Sequence, residues 1–291
     1  TGVSAANVHA LAVDGTFDDC QALVKDMFND HAFRDKTALS GVNSINWARI
    51  MAQIVYYFYA ALALGAPDRP VSFTVPTGNF GDIFAAYAAR RMGLPIERLV
   101  IATNENDILV RTLETGRYET RRVVATTSPS MDIQISSNFE RLLFEENGRD
   151  AAGVRIEMQS LKQSGAFMLD DMQIDRIRDS FDAGRSTEKE TAATIRSVME
   201  KNGYLLDPHS ATALHVARQR PRSDVPMVVL ATAHPAKFPA AVEAASGIAP
   251  ALPARLAELM QREERYTTLP SDIKMVEDHI FRHSRAAGRQ E

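Results

Sequence analysis

The stretch from Val71 to Met92 constrains the fold of this 291-residue chain more than any other. Val71-Ser72-Phe73-Thr74-Val75 is a short apolar run, and Pro76 to Asp82 is a turn with glycines at 78 and 81. Ile83, Phe84, Tyr87, Ala88 and Met92 then recur at helical spacing. A strand that passes through a tight turn directly into a helix is the first half of a βαβ unit. The rhythm repeats. Residues 7–13 read as a strand leading through Asp14-Gly15 into a helix that begins at Thr16 or Asp18. Residues 98–103 lead into a helix from Asn106 or Asp107 to Glu114, and residues 226–232 have the continuous apolar character of a buried strand. Strands interleaved with helices in this way predict an α/β fold, a parallel sheet flanked by helices.

Residues 40–44 predict a turn, followed by a long helix to about Leu64 that Gly65-Ala66-Pro67 stops. That helix is apolar almost all the way round, which predicts a central rather than a superficial position. From 150 to 205 the pattern is mainly helical and polar, with amphipathic segments at 164–178 and 186–202. The expected organisation is an α/β region over 1–145, a mainly helical insertion over 146–205, a returning strand over 206–249 and a helical tail over 250–291. Because it opens on Thr1 in mid-rhythm, the chain is expected to be the carboxyl-side part of a longer polypeptide.

Charge and cysteine usage exclude several classes of function. With 33 Lys and Arg against 37 Asp and Glu, a net charge of −4, nothing marks a nucleic-acid footprint or a polybasic membrane patch. An anionic ligand must therefore be held by local geometry. The apolar stretch 50–64 falls short of the roughly 20 residues that cross a bilayer. Cys20 stands alone, which excludes an internal disulfide and a paired-cysteine metal site and fits a reducing cytoplasm. No metal site is expected.

The glycine turn is the first candidate site. Between a parallel strand and a helix, its backbone N–H groups converge at the positive end of the helix and suit a phosphate. Gly78 and Gly81 leave room for close approach, Asn79 offers an amide donor, and Asp82 can cap the helix from Ile83. Read plainly, it is an ordinary tight turn. It has neither the dinucleotide glycine fingerprint nor the lysine of a nucleotide-binding P-loop. The second candidate is the start of the long helix, where Asn43, Ser44 and Arg49 suit an O-phosphorylated substrate. Read plainly, Ser44 is a cap and Arg49 a surface ion-pair partner. An arginine opening a buried apolar helix would be costly unless an anion met it.

Three long segments carry a resemblance: 75–82, 40–50 and Ala231-Thr232-Ala233-His234-Pro235-Ala236-Lys237-Phe238, supported by Asn104, 136–141 and 207–211. Together they resemble the threonine synthases. The resemblance implies a fold-type-II pyridoxal-phosphate enzyme, similar to the β subunit of tryptophan synthase and incomplete at its amino end. It implies that Gly78, Asn79, Phe80 and Gly81, with Asp82 beside them, hold the phosphate of pyridoxal 5′-phosphate. Some related enzymes carry Asn where Asp82 stands. The Thr232 hydroxyl would face the pyridine nitrogen, and Asn43, Ser44 and Arg49 would bind the phosphate of O-phospho-L-homoserine. The implied reaction yields L-threonine and phosphate, in a monomer or dimer without nucleic-acid or membrane partners.

The resemblance also requires a lysine that anchors the cofactor covalently. The seven lysines here are Lys25, Lys36, Lys162, Lys189, Lys201, Lys237 and Lys274, and none has the family's Ser-Phe-Lys-Asp-like setting. No catalytic residue is therefore expected in this chain, which by itself would be inactive and hold the cofactor weakly. Two alternatives are a non-catalytic relative that keeps the pockets, and a Rossmann-type nucleotide-binding oxidoreductase.

Overall fold

The computed structural model describes residues 5–286 apart from Thr16 and Arg222. An expected helix start at Thr16 thus lies outside the described residues. Along the chain come β1 (Leu11–Asp14), α1 (Phe17–Asn29), α2 (His31–Thr37), α3 (Trp47–Ala63), β2 (Val71–Pro76), α4 (Gly81–Arg91) and β3 (Ile96–Thr103). Then follow α5 (Ile108–Thr115), β4 (Arg117–Glu119), α6 (Phe139–Glu146), α7 (Ala151–Ser164), β5 (Ala166–Met168), α8 (Asp171–Ser180) and β6 (Phe181–Arg185). The remainder is α9 (Glu188–Asn202), α10 (Pro208–Arg218), β7 (Met227–Val229), α11 (Pro239–Ser246), β8 (Thr267–Pro270) and α12 (Ile273–His283). No described helix is long and apolar enough to cross a membrane.

The chain forms two compact units, one of residues 1–42 with 252–291 and one of residues 43–251. In the first, β1 pairs in parallel with β8, Leu11 opposite Thr267. Leu23, Met27 and Val276 form its core, with Leu11, Val13, Phe33 and Leu269 packed around them. Residues 250–291, expected to be helical, therefore contain a strand as well as α12.

The second unit is built on a parallel four-stranded sheet in the order β6-β3-β2-β7. β2 is buried along nearly its whole length, as a strand covered on both faces must be. Phe73, Val75, Leu99 and Ile101 are wholly buried and join Ile83 of α4 in one apolar core. α3 departs from its expected central place. Ile50, Ile54, Tyr57 and Ala61 face the core, while Met51, Val55, Tyr59 and Leu62 are exposed. A helix apolar all round is thus buried on one side only. The segment 164–178, expected as one amphipathic run, is instead broken. α7 ends at Ser164, Gly165 takes a left-handed turn (φ 74°), and an Asp170–Gln173 capping box starts α8.

Candidate active site

The glycine turn leaves the sheet at the carboxyl end of β2. Thr77 N donates to Ala102 O at 2.8 Å, the last tie to β3. Phe80 then takes a left-handed conformation (φ 63°) at the head of α4 and supplies no side-chain cap. Its ring is buried against Phe139 and Phe181, with centroids 5.3 and 5.7 Å away. Burial of the ring holds an aromatic residue in a backbone region it otherwise avoids. Among the described residues, the amides of residues 78–83 have no hydrogen-bond acceptor. Unmatched donors at the positive end of a helix are what an anion needs.

The two glycines serve close approach rather than a positive φ. A Cβ on Gly78 would lie 2.6 Å from Ser130 O, and one on Gly81 would lie 2.7 Å from Ser44 Cβ. The Ser130 segment is itself held hard. Asn104, at the end of β3, donates to Asp132 Oδ1 at 2.7 Å, and Thr126 N donates to Asp132 Oδ2 at 2.8 Å.

Asn138 joins the two candidate sites. Its backbone N and its Nδ2 both donate to Asn79 O at 3.0 Å, and Nδ2 also lies 2.9 Å from Ser44 Oγ. Arg141 Nε donates to Asn138 Oδ1 at 2.9 Å, and its Nη2 donates to Ile45 O at 2.8 Å. Ser136 Oγ donates to Gly78 O at 2.7 Å, while Ser136 N donates to Tyr118 Oη at 2.8 Å. Burial pushes the Tyr118 phenol up to about 12, against the opposing pull of the bond it accepts from Ser136 N. Sequence reasoning gave Asn138 no role. Its position before a helical run reads locally as a cap, yet its side chain caps nothing in α6 and is spent across the site.

At the other site, Asn46 rather than Ser44 caps α3, accepting from Ala48 N at 3.0 Å. Asn43, which is exposed, accepts at Oδ1 from Ile45 N at 3.1 Å, an Asx turn. Arg49 is exposed, and no described carboxylate lies within ion-pair distance of it. The burial cost argued for it from sequence does not apply. Its charge is nonetheless felt at Asp82, where it draws the carboxyl pKa down.

Asp82 does not cap α4 as expected. Tyr57 Oη lies 2.9 Å from both its backbone oxygen and its Oδ1. Burial raises the Asp82 pKa above its ordinary value of 3.8, against the opposing pull of the Tyr57 bond and Arg49. Burial, with the Asp82 charge beside it, also drives the Tyr57 phenol well above 10.0. A carboxyl raised on folding costs stability above its folded pKa, and the cost disappears as pH falls to its unfolded value. Asp82→Asn keeps an oxygen for Tyr57 and removes that charge. It is expected to raise the thermal midpoint at pH 7 and to flatten the decline of stability with pH above 3.8. Thermal denaturation from pH 4 to 8 checks this; an equal loss at every pH would show that the carboxylate is needed.

Thr232 follows β7, whose pairing with β2 extends through Leu230 N to Thr74 O at 3.1 Å. It is exposed on a cleft of about 580 Å³, with Tyr204 and His234 among its walls. Because β2 and β7 are parallel neighbours, Thr232 and the glycine turn leave the same edge of the sheet. The chain passes from β2 outward to β3 and β6 on one side and returns as β7 on the other, the place where open α/β sheets bind ligands. His234, unassigned from sequence, caps the short turn Pro235–Lys237 by accepting from Ala236 N at 3.2 Å.

Comparison with known proteins bears on the family and the fold. The profile of the family described as "Pyridoxal-phosphate dependent enzyme" matches residues 3–233, and that described as "Threonine synthase, C-terminal" matches 210–280. A threonine synthase of Pseudomonas aeruginosa is 52% identical over 285 residues, 97% of this chain and 61% of its own length. The crystal structure of a pyridoxal-phosphate-bound threonine synthase from Brucella melitensis superposes with a TM-score of 0.93 at 67% identity, over 97% of this chain and 61% of that one. The yeast threonine synthase structure gives 0.85 at 41% identity, over 97% and 60%. The chain thus spans about three-fifths of the length of these relatives.

Proposed function

Because the chain belongs to the family of pyridoxal-phosphate-dependent enzymes, we propose that it supplies the two phosphate grips of a threonine synthase, which converts O-phospho-L-homoserine and water to L-threonine and phosphate. The observation that carries this reading is that Asn138 ties the turn bearing the unmatched amides 78–83, through Asn79 O, to Ser44 Oγ. Neither the non-catalytic nor the oxidoreductase alternative is favoured, since the relatives named above are threonine synthases.

The residues present fit the cofactor's phosphate. A dianion takes up amide donors that have no other acceptor, and Asn79, exposed at the tip of the turn, adds its Nδ2. When bound, the cofactor supplies a ring that withdraws electrons from the substrate's reacting carbons. Thr232 would offer the ring nitrogen a neutral hydroxyl, which would leave that nitrogen unprotonated and moderate its pull. Ser44 and the exposed guanidinium of Arg49 hold the substrate's phosphate and stabilise its charge as it departs. Asn138 keeps the two grips in register. Lys162, Lys189, Lys201 and Lys237 of this unit all lie at the exposed surface, and none is assigned as the covalent anchor.

The test is Arg49→Ala in the active enzyme. A charge-assisted hydrogen bond of about 1.5–3 kcal/mol predicts a KM for the phosphorylated substrate raised roughly 10- to 100-fold, with cofactor content unchanged. An unchanged KM would remove Arg49 from the substrate site.

A further inference from the structure

The first unit holds a group of residues that the proposed reaction does not use. His279 and His283 lie four positions apart on α12 and therefore on one face of that helix, with ring centroids 4.2 Å apart. His9, just before β1, places its ring 4.7 Å from that of His283. Each of the three offers a nitrogen within 4.8 Å of the others. We propose that His9, His279 and His283 form a binding site for a late first-row divalent cation, with zinc as its natural occupant.

Three features of the cluster suit a metal. The first is the state of the lone pairs. His283 donates its Nδ1 proton to His279 O at 2.7 Å, which fixes the tautomer and leaves Nε2 as a ligand atom. Metal-bound imidazoles commonly anchor their second nitrogen on a backbone carbonyl in this way. His279 Nε2 is shielded from solvent and has no hydrogen-bond partner among the described residues, a buried polar atom whose burial is otherwise a cost.

The second is distance. Three atoms within 4.8 Å of one another leave a point at most about 2.8 Å from all three. A zinc–imidazole bond is roughly 2.0–2.1 Å, so the rings need to draw together by less than about 1 Å each. His9 and His283 are exposed and free to make that adjustment.

The third is the donor type. Three neutral imidazoles without a carboxylate select zinc, nickel, cobalt or copper and disfavour magnesium and calcium. The open side leaves the fourth position to water. Such an ion would clip the segment before β1 to α12, two stretches far apart in the chain that belong to the same unit.

The experiment is calorimetric titration of the chelator-treated holoenzyme with zinc chloride, alongside His9→Gln and His283→Gln. Both substitutions are at exposed positions and leave the fold intact, which the unchanged metal-free thermal midpoint verifies. His215→Gln, outside the cluster, is the control. One zinc per chain at micromolar affinity or tighter, weakened at least tenfold by each cluster substitution but not by the control, is the expected result. Cobalt in place of zinc should give a visible absorption band that both variants lose. Affinity no better than about 100 µM, or full affinity retained in either variant, overturns the site.

Discussion

Replacing Gly78 by alanine is expected to abolish tight cofactor binding while leaving a folded protein. The added Cβ would stand 2.6 Å from Ser130 O and 3.2 Å from Met131 Cα, both backbone atoms. Neither can yield easily, because Asp132 accepts bonds from Asn104 and from Thr126 N at 2.7 and 2.8 Å and pins that segment. The glycine turn must move instead, breaking the 2.7 Å bond from Ser136 Oγ to Gly78 O. Overpacking of this kind costs about 1–3 kcal/mol in stability. The larger effect falls on the ligand, since amides aimed at one phosphate lose their geometry together. The loss of even two charge-assisted bonds, each worth about 1.5–3 kcal/mol, raises the cofactor's dissociation constant by at least ~100-fold. Spectroscopic titration of the variant enzyme with pyridoxal phosphate measures this, and an affinity within a few-fold of the parent would show that the turn does not grip the phosphate.

Phe80→Ala is expected to be the most destabilising single change in the turn. Phe80 is 1% exposed, and its ring sits between Phe139 of α6 and Phe181 of β6. Truncating a buried phenylalanine costs about 3–5 kcal/mol through lost burial and the cavity left behind. At about 2–4 °C per kcal/mol for a protein of this size class, the thermal midpoint should fall by roughly 6–20 °C. A second consequence distinguishes this site from other core positions. The ring is what secures the left-handed backbone at residue 80 (φ 63°), so the truncated turn relaxes and the cofactor is held less tightly as well. A variant with Phe73→Ala, wholly buried but outside the turn, should lose comparable stability without that extra loss of affinity. Equal loss of cofactor affinity in the two variants would separate Phe80 from the grip.

The parts of the fold that were legible in the sequence are those whose signal is local. β2, β3 and β7 announce themselves as short apolar runs, and the glycine turn as a strand-to-helix connection. β6 does not, because Phe181-Asp182-Ala183-Gly184-Arg185 is too polar to read as a central strand's neighbour. What defines it is packing. A Cβ on Gly184 would lie 2.6 Å from Val216 Cγ1 of α10, so the residue at 184 is chosen by a side chain 32 positions away. The break between α7 and α8 had its signals, Gly165 and the Asp170–Gln173 box, which a window tuned to helical periodicity passes over. The outward face of α3 was illegible for a different reason. Periodicity reports which residues are apolar, not which of them a neighbour covers.

The site divides in the same way. Its donors are a property of one turn and could be named from it. The link between the two phosphate grips could not, because Asn138 reaches residues 59 and 94 positions away through its side chain. Arg49 was named for its charge, but the sequence overstated its burial.

The pairing of β1 with β8 has a consequence for how the molecule is made. Leu11 meets Thr267 only after the whole of residues 43–251 has been translated. The second unit is continuous in the chain and can close its sheet as it leaves the ribosome, whereas the Leu11–Thr267 pairing must wait for a partner 256 positions further on. At roughly 5–20 residues per second that interval is on the order of ten seconds to a minute, so this pairing forms only after the second unit has had time to fold.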